Sequence, residues 1–247
     1  MIDIFNIETA HHYGDTLPKL LKCRYAEFVL RHHYQVPDYN GMEYDQYDTP
    51  AAVYLAWKDP AGTIRAGIRL VPTTKPYMIK DLWPYSVVDI NLPESPEVWE
   101  ATRLFIDRSC DEKVRHQAHG EILCGILEFG LYYGIADYIA AAPPRLWDFT
   151  FRRCGWPANV IGPPTEINYV EQIQACVMHI SEATLEEVRS TMQINSSVLS
   201  ANIMMRDATA LVDPALLTAN PTPFMNKHQQ RMHLVGSWSE STVASLR

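Results

Sequence analysis

Cysteine is scarce in this sequence and never forms a closely spaced pair. There are five cysteines in 247 residues, each isolated from the others: Cys23, Cys110, Cys124, Cys154 and Cys176. An odd number without a C-x-x-C pair argues against a disulfide framework and against a cysteine-based zinc site. His11-His12 and His32-His33 lack a third ligand at zinc spacing, so we expect no metal. Unpaired thiols favour a reducing compartment, and we predict a cytoplasmic protein.

Long apolar runs and long basic runs are also missing. No stretch approaches the roughly 20 apolar residues that cross a bilayer, so we expect no membrane span. The short apolar run at the start has no basic region before it, so we expect no signal peptide. The net charge of −8 and the lack of a basic run argue against nucleic acid as a partner.

The pattern of apolar residues predicts one α/β domain followed by an extension. The predicted order is strand, helix, strands, helix, strand, helix, strand, which favours a mixed sheet packed against helices. We place this domain at residues 1–192. Residues 193–247 are polar and interrupted by prolines, so we predict a poorly packed C-terminal extension, irregular or with short helices. Deleting residues 196–247 is then expected to cost little activity.

One acidic stretch, Glu43-Tyr44-Asp45-Gln46-Tyr47-Asp48, combines two carboxylates three residues apart with two aromatic rings. In a strand, Asp45 and Asp48 would point to opposite faces, but in a turn or a helical loop they can converge on one target. Converging carboxylates and aromatic rings suit a cationic ligand that has a flat or apolar part. The alternative interpretation is a solvated acidic loop.

Charged residues also interrupt two of the predicted strands. Arg69 lies inside an apolar strand, where a buried arginine needs a partner; a structural ion pair explains it as well as ligand binding does. In the strand at 99–107, alternation puts Glu100 and Thr102 on one face and Arg103 on the other, unless a bulge intervenes.

Four segments together resemble one family. They are Arg24-x-x-x-Phe28, Asp45-Gln46-Tyr47-Asp48, Arg69-Leu70-Val71-Pro72-Thr73-Thr74 and Trp99-Glu100-Ala101-Thr102-Arg103. Their order and spacing are similar to those of the acyl-homoserine-lactone synthases, the autoinducer synthases of bacterial quorum sensing. The resemblance extends over roughly residues 1–190.

The resemblance implies a fold and a reaction. The expected fold is GNAT-like: α/β, with a mixed, mostly antiparallel sheet flanked by helices in three α-β-α layers. The expected reaction transfers an acyl group from acyl-CoA or acyl-carrier protein to the amine of S-adenosylmethionine. Lactonisation then releases methylthioadenosine. S-adenosylmethionine is thus a substrate, and no cofactor is implied.

The resemblance also implies a set of site residues. Those expected to bind S-adenosylmethionine are Arg24, Phe28, Tyr34, Asp45, Asp48, Arg69 and Arg103. We expect catalysis to involve Glu100, Asp48 and Arg103, with Glu100 the first choice for helping the amine lose its proton. Tyr34 stands where the family usually has tryptophan, and Thr102 where it usually has serine.

The acyl donor is expected to contact two further groups of residues. The predicted acyl pocket consists of Met78, Leu104, Ile126, Ala142 and Trp147. Arg108, Lys113 and Arg115 form the only local basic cluster and are expected to meet pantetheine phosphate or an acidic carrier protein. Arg115-x-x-Ala118-x-Gly120 loosely resembles a pyrophosphate loop ahead of a helix starting at Glu121; a solvated basic loop is the alternative.

The stretch from Ala140 to Pro144 contains no hydroxyl group, whereas family members that make 3-oxo products typically carry a threonine there. We therefore expect a preference for acyl chains unsubstituted at position 3, with a slight preference for CoA over carrier protein.

Two other functions compete with the synthase. One is a GNAT-type N-acyltransferase acting on another amine, and the other is a non-catalytic binder of S-adenosylmethionine or acyl thioesters.

Overall fold

The computed structural model describes residues 1–167 and 172–199 of the chain. The strands are β1 Ile2–Phe5, β2 Asp38–Tyr39, β3 Met42–Glu43, β4 Val53–Lys58, β5 Ile64–Pro72, β6 Val98–Ile106, β7 Asp137–Ala142, β8 Asn159–Val160, β9 Thr165–Glu166 and β10 Gln172–His179. The α-helices are α1 Thr16–Arg24, α2 Met78–Leu82, α3 Glu112–Tyr133, α4 Pro144–Leu146 and α5 Glu182–Met192. Shorter 3₁₀ or π turns are Ala10–Tyr13, Tyr25–Arg31, Pro84–Ser86, Trp147–Phe151 and Arg152–Cys154. None of the described helices is both long enough and apolar enough to cross a membrane.

One eight-stranded sheet organises the chain, in the order β1-β4-β5-β6-β7-β10-β8, with β9 paired to β10. Its neighbouring strands are antiparallel except for β6 and β7, which are parallel. The short strands β2 and β3 form a separate hairpin. The predicted mixed, mostly antiparallel sheet is therefore confirmed.

Helices cover both faces of this sheet. On one face α1 approaches so closely that a Cβ on Gly67 would lie 2.6 Å from Leu20 Cδ1, so a side chain at this strand position would collide with the helix. On the other face α3 contacts the sheet, and a Cβ on Gly125 would lie 2.6 Å from Ile2 Cδ1 and 3.7 Å from Leu55 Cδ2. These contacts give the three-layer, GNAT-like arrangement that was predicted.

The parallel strands β6 and β7 separate after a short paired stretch. Their pairing covers Val98 with Asp137, Trp99 with Tyr138 and Glu100 with Ile139. Both strands continue for several residues beyond these pairs, to Ile106 and Ala142. A sheet that opens in this way leaves room between its two halves, and a cavity beside them is lined by both strands.

Helix α3 begins earlier than the sequence suggested. Its N-cap is Asp111, whose side chain accepts a hydrogen bond from the backbone N–H of Lys113 at 2.8 Å. An acidic N-cap satisfies one of the free N–H groups of the first turn. Residues 115–120 consequently lie inside the helix, and the predicted pyrophosphate loop ahead of Glu121 is wrong.

The residues immediately after α5 pack against α3 through the buried carboxylate of Glu128. Arg189 Nη2 donates to it at 2.8 Å and Ser197 Oγ at 2.7 Å. The backbone N–H groups of Val198 and Leu199 donate at 3.1 and 2.9 Å. The carboxylate thus fixes the start of the predicted extension to the core.

The expectation of poor packing from residue 193 onward is therefore wrong for its described part. The side chain of Ile194 lies beside Gly120, and that of Leu199 is 3% exposed. Residues 200–247 lie outside the described residues, and the division of the chain after residue 192 stays a prediction.

Truncation tests the role of Glu128. A chain ending at Ala201 keeps all four donors to this carboxylate, whereas a chain ending at Asn195 keeps only Arg189. Leaving a buried carboxylate without its hydrogen bonds costs about 1–3 kcal/mol. We expect the shorter chain to unfold at a lower urea concentration than the longer one. Equal midpoints for the two chains would contradict this role.

Candidate functional site

The segment after α1 folds back on itself beside the sheet. A π-helical turn, Tyr25–Arg31, is followed by His33, whose φ of 57° lies in the left-handed region. The backbone N–H of Tyr34 then donates to the carbonyl of Phe28 at 2.9 Å. This closure stacks the two rings with their centroids 6.0 Å apart. Phe28 and Tyr34, both predicted site residues, therefore form one aromatic surface.

The acidic stretch forms a tight turn whose carboxylates converge. The backbone N–H of Asp48 donates to the carbonyl of Asp45 at 3.1 Å, and Asp48 Oδ2 accepts from the backbone N–H of Asp45 at 2.8 Å. The two side chains are only 4% and 8% exposed. The two carboxylates converge in a turn, one of the two arrangements that the sequence allowed, and the alternative of a solvated acidic loop is wrong.

Three guanidinium groups and three carboxylates meet at this turn, and we call them the arginine–carboxylate cluster. Its members are Arg24, Arg69, Arg103, Glu43, Asp45 and Asp48. Glu43 joins two of the arginines: its Oε2 lies 2.6 Å from Arg24 Nε and its Oε1 lies 3.0 Å from Arg103 Nε. Glu43 was not among the predicted site residues, although it is the first residue of the acidic stretch Glu43–Asp48.

The two aspartates complete the pairing. Arg24 donates to both oxygens of Asp48 at 2.7 and 2.9 Å. Arg69 donates to both oxygens of Asp45 at 2.6 and 3.1 Å, and Arg103 Nη2 reaches Asp45 Oδ2 at 2.7 Å. Such two-pronged contacts match the planar guanidinium to the carboxylate. Equal numbers of opposite charges make the cluster neutral as a whole.

A β-bulge brings Arg103 to this cluster. Between the pairs Gly67–Phe105 and Arg69–Thr102, strand β6 contains one more residue than β5. Arg103 takes a φ of 57° there. The bulge lets both Thr102 Oγ1, at 3.1 Å from Arg69 Nε, and the Arg103 side chain reach the same group of residues. Strict alternation, which put these two residues on opposite faces, is therefore wrong at this point.

Glu100 is buried next to the cluster. Its Oε1 and Oε2 accept hydrogen bonds from the backbone N–H groups of Ile79 at 2.7 Å and Met78 at 2.9 Å, in the first turn of α2. Burial raises the pKa of Glu100 to about 7, although these two bonds and the charge of Arg69 act in the opposite direction. A carboxyl group with a pKa near neutrality can exchange a proton at physiological pH.

A cavity of about 1200 Å³ opens beside these groups. Of the residues predicted to bind S-adenosylmethionine or catalyse the reaction, those that line it are Phe28, Tyr34, Asp45, Glu100 and Arg103. Arg24, Asp48 and Arg69 do not line it. They lie in the cluster behind the wall, where they hold Glu43 and Asp45 in place.

Four of the five predicted acyl-pocket residues line the same cavity: Met78, Leu104, Ala142 and Trp147. Ile126 does not, and its assignment to the pocket is wrong. Helix α3 contributes its first half to the cavity wall, through Glu112, Arg115, His116 and His119. Ile126 lies further along α3, is 1% exposed, and belongs to the core between helix and sheet.

The predicted basic cluster divides in a similar way. Arg108 and Arg115 line the cavity, whereas Lys113 does not. Residues two positions apart on a helix point in different directions, so Lys113 and Arg115 cannot share a face of α3. The described part of the chain contains no group of three His, Cys, Asp or Glu residues that could hold a metal ion.

Comparisons with known proteins agree with this geometry. Residues 9–188 match the sequence profile of the family described as autoinducer synthase. An acyl-homoserine-lactone synthase of Ralstonia nicotianae is 38% identical over 189 residues, which cover 72% of this chain and 91% of that protein. The solved structure of MesI, a CoA-dependent acyl-homoserine lactone synthase, is 25% identical with a TM-score of 0.72 and covers 81% of this chain and 100% of its own. BjaI, another CoA-dependent acyl-homoserine lactone synthase, was solved with SAM and isopentyl-CoA. It is 25% identical with a TM-score of 0.71, covering 84% of this chain and 98% of its own.

The charge state of Asp48 makes the stability of the protein sensitive to acid. Burial alone would raise the pKa of Asp48, but hydrogen bonds from Arg24 and the charges of Arg69 and Arg24 hold it well below its usual range. In the unfolded chain Asp48 takes up a proton near pH 4, whereas in the folded protein it does not. Stability from this group is thus present above about pH 4 and is lost as the pH falls towards the lower, folded pKa.

We therefore expect the free energy of unfolding to fall less steeply between about pH 5 and pH 2 in Asp48→Asn than in the wild type. Urea denaturation at a series of pH values measures both slopes. Parallel slopes would show that Asp48 titrates normally in the folded protein.

Proposed function

The chain belongs to the autoinducer synthase family, and on that premise we propose that it is an acyl-homoserine-lactone synthase. Its substrates are S-adenosylmethionine and an acyl thioester. The observation that carries the proposal is the neutral arginine–carboxylate cluster, whose exposed edge faces a large cavity between two separating strands. Both substrates can reach one another there. Because both are intracellular metabolites, we place the reaction in the cytoplasm.

S-adenosylmethionine offers a flat adenine, two positive centres and a carboxylate, and the cavity wall has a group for each. The stacked rings of Phe28 and Tyr34 present an aromatic surface to the adenine. Asp45 lies on the cavity side of the cluster and faces the positive centres. Arg103, which lies over the ring of Phe28 at 5.5 Å, faces the carboxylate. Arg24, Asp48 and Arg69 support these residues from behind.

The reaction needs two bond exchanges. In the first, the amine nitrogen of S-adenosylmethionine attacks the thioester carbon, and the thiol of the donor leaves. The amine must lose a proton for this step, and Glu100, with its pKa of about 7, accepts it directly or through a water molecule. In the second, a carboxylate oxygen of the acylated product attacks the γ-carbon of the methionine part, which is bonded to the sulfur. The carbon–sulfur bond breaks, the lactone ring closes, and methylthioadenosine leaves.

Acyl-CoA is the donor that fits this cavity best. Arg108 and Arg115 on its wall supply positive charge for the phosphates of CoA. The acyl chain passes between Leu104 and Ala142 towards Trp147. BjaI and MesI, to which the chain is similar, are both CoA-dependent.

The competing functions are less well supported. An N-acyltransferase for an amine without a carboxylate would have no need of a carboxylate-binding arginine beside the aromatic pair. A binder without activity would have no need of a buried glutamate with a pKa of about 7 next to the point where β6 and β7 separate.

Incubation of the purified protein with S-adenosylmethionine and a panel of acyl thioesters tests the function. We expect release of methylthioadenosine and acyl-homoserine lactone in equal amounts, with unsubstituted acyl-CoA preferred. The side chains of Ala140, Ala141 and Ala142 on the cavity wall offer no hydroxyl, so a 3-oxo group loses a hydrogen bond to water worth about 1–3 kcal/mol.

The measurement is kcat/KM for matched 3-oxo and unsubstituted thioesters of one chain length, each on CoA and on carrier protein. Faster turnover of the 3-oxo thioester would contradict the pocket argument, and a strong preference for carrier protein would contradict the donor assignment. Acylation of S-adenosylmethionine without methylthioadenosine release would contradict the lactonisation step, and no turnover of any donor would favour one of the two competing functions.

Glu100→Gln tests the proton acceptor. We expect turnover to fall by about 100-fold or more, because the amide cannot take the proton. The rise of kcat with pH through about 7 should disappear as well. Circular dichroism and thermal unfolding serve as controls for the fold, because Glu100 also binds two N–H groups of α2. Turnover close to the wild-type value in Glu100→Gln, with the pH dependence unchanged, would show that Glu100 is not the proton acceptor.

A further inference from the structure

Met78 occupies a position that a sequence-based assignment to the acyl pocket does not explain. Its sulfur lies 3.4 Å from Arg69 Nη2 and 3.5 Å from Arg103 Nη1. A thioether is a weak hydrogen-bond acceptor, whereas a guanidinium group is a strong, charged donor. Each of the two guanidinium groups therefore directs an N–H group at a poor hydrogen-bond acceptor, the Met78 sulfur.

The donors of Arg103 are unequally satisfied. Nε binds Glu43 at 3.0 Å and Nη2 binds Asp45 at 2.7 Å, both of them carboxylates. Nη1 has the Met78 sulfur as its only partner among the described residues. Since Arg103 lines the cavity, this is the donor of the cluster that remains available to an anionic group entering from the cavity.

The position of Met78 is itself fixed. It is the first residue of α2, it is 5% exposed, and its backbone N–H is held by Glu100 Oε2 at 2.9 Å. Its side chain has several rotatable bonds and can withdraw while the backbone stays in place. The helix therefore holds a flexible, weakly bound side chain directly over the available guanidinium donor.

We propose that the Met78 thioether occupies, in the ligand-free protein, the place where the carboxylate of S-adenosylmethionine binds. The carboxylate displaces the sulfur and accepts hydrogen bonds from Arg103 Nη1 and Arg69 Nη2. Met78 thus gives Arg103 Nη1 a partner before substrate arrives, adds a second contact for Arg69 Nη2, which also binds Asp45, and costs little to displace. It is a positioning residue for the amino-acid part of S-adenosylmethionine, and the inference rests on the proposed synthase function.

Two substitutions of similar size should change affinity in opposite directions. Met78→Leu removes the acceptor, which destabilises the ligand-free state, so we expect S-adenosylmethionine to bind about threefold more tightly. Met78→Gln supplies an amide oxygen, a stronger acceptor that competes with the carboxylate, so we expect weaker binding by a similar factor.

Isothermal titration calorimetry on the full chain, without acyl donor, measures these affinities. Decarboxylated S-adenosylmethionine, which keeps the adenine and the sulfonium, is the matched ligand, and its affinity should be the same in all three proteins. Ile79→Val is the control variant. Ile79 lines the cavity next to Met78, and its aliphatic side chain cannot accept a hydrogen bond from a guanidinium group, so the ratio of the two affinities should not change.

Unchanged affinity for S-adenosylmethionine in both Met78 variants would overturn the inference and leave the synthase standing. So would equal shifts for both ligands, or changes confined to the KM of the acyl donor, which is the outcome for a residue that only forms part of the acyl pocket. If the wild-type protein bound no S-adenosylmethionine at all, the proposed function would fail, and the inference with it.

Discussion

The structure depends on the pairing of three guanidinium groups, each at most 10% exposed, with three buried carboxylates. Removing each such ion from water costs several kcal/mol, and only good geometry with full hydrogen bonding offsets that cost. The six side chains come from the end of α1, the β3 strand and the turn after it, β5 and β6. None can move far without leaving a charge unpaired, so the cluster fixes these four segments relative to one another.

This constraint also shapes the site. The cluster presents one carboxylate, Asp45, and one guanidinium group, Arg103, to the cavity and keeps the remaining pairs behind them. Substrate therefore meets charged groups whose positions are set before it binds, which reduces the ordering that binding requires. The bulge at Arg103 is part of the same arrangement, because it lets two neighbouring residues of one strand face one cluster. The separation of β6 from β7 supplies the adjoining space for an acyl chain.

The sequence predicts much of this because burial of charge is costly. Arg69 and Glu100 within apolar strands and the paired aspartates of the turn could all be recognised as residues in need of partners. Other features have no such signal. The bulge at Arg103 depends on how β5 and β6 pair, and the exclusion of Ile126 from the cavity depends on the path of α3. The early start of α3 could have been found from Asp111, an acidic N-cap residue. The packing of Leu199 could not have been found in this way, because its backbone N–H binds Glu128, which is 71 residues away in the sequence.

The dependence of the site on this charge pairing is tested at Glu43, which joins Arg24 to Arg103 and is fully buried. Glu43→Gln leaves the cluster with one uncompensated positive charge, while Tyr44→Phe changes an exposed neighbour and serves as the control. The measurement is the free energy of unfolding together with the affinity for S-adenosylmethionine. We expect a loss of about 3–5 kcal/mol and at least tenfold weaker binding for Glu43→Gln, with neither effect for Tyr44→Phe. Wild-type stability and affinity in Glu43→Gln would contradict it.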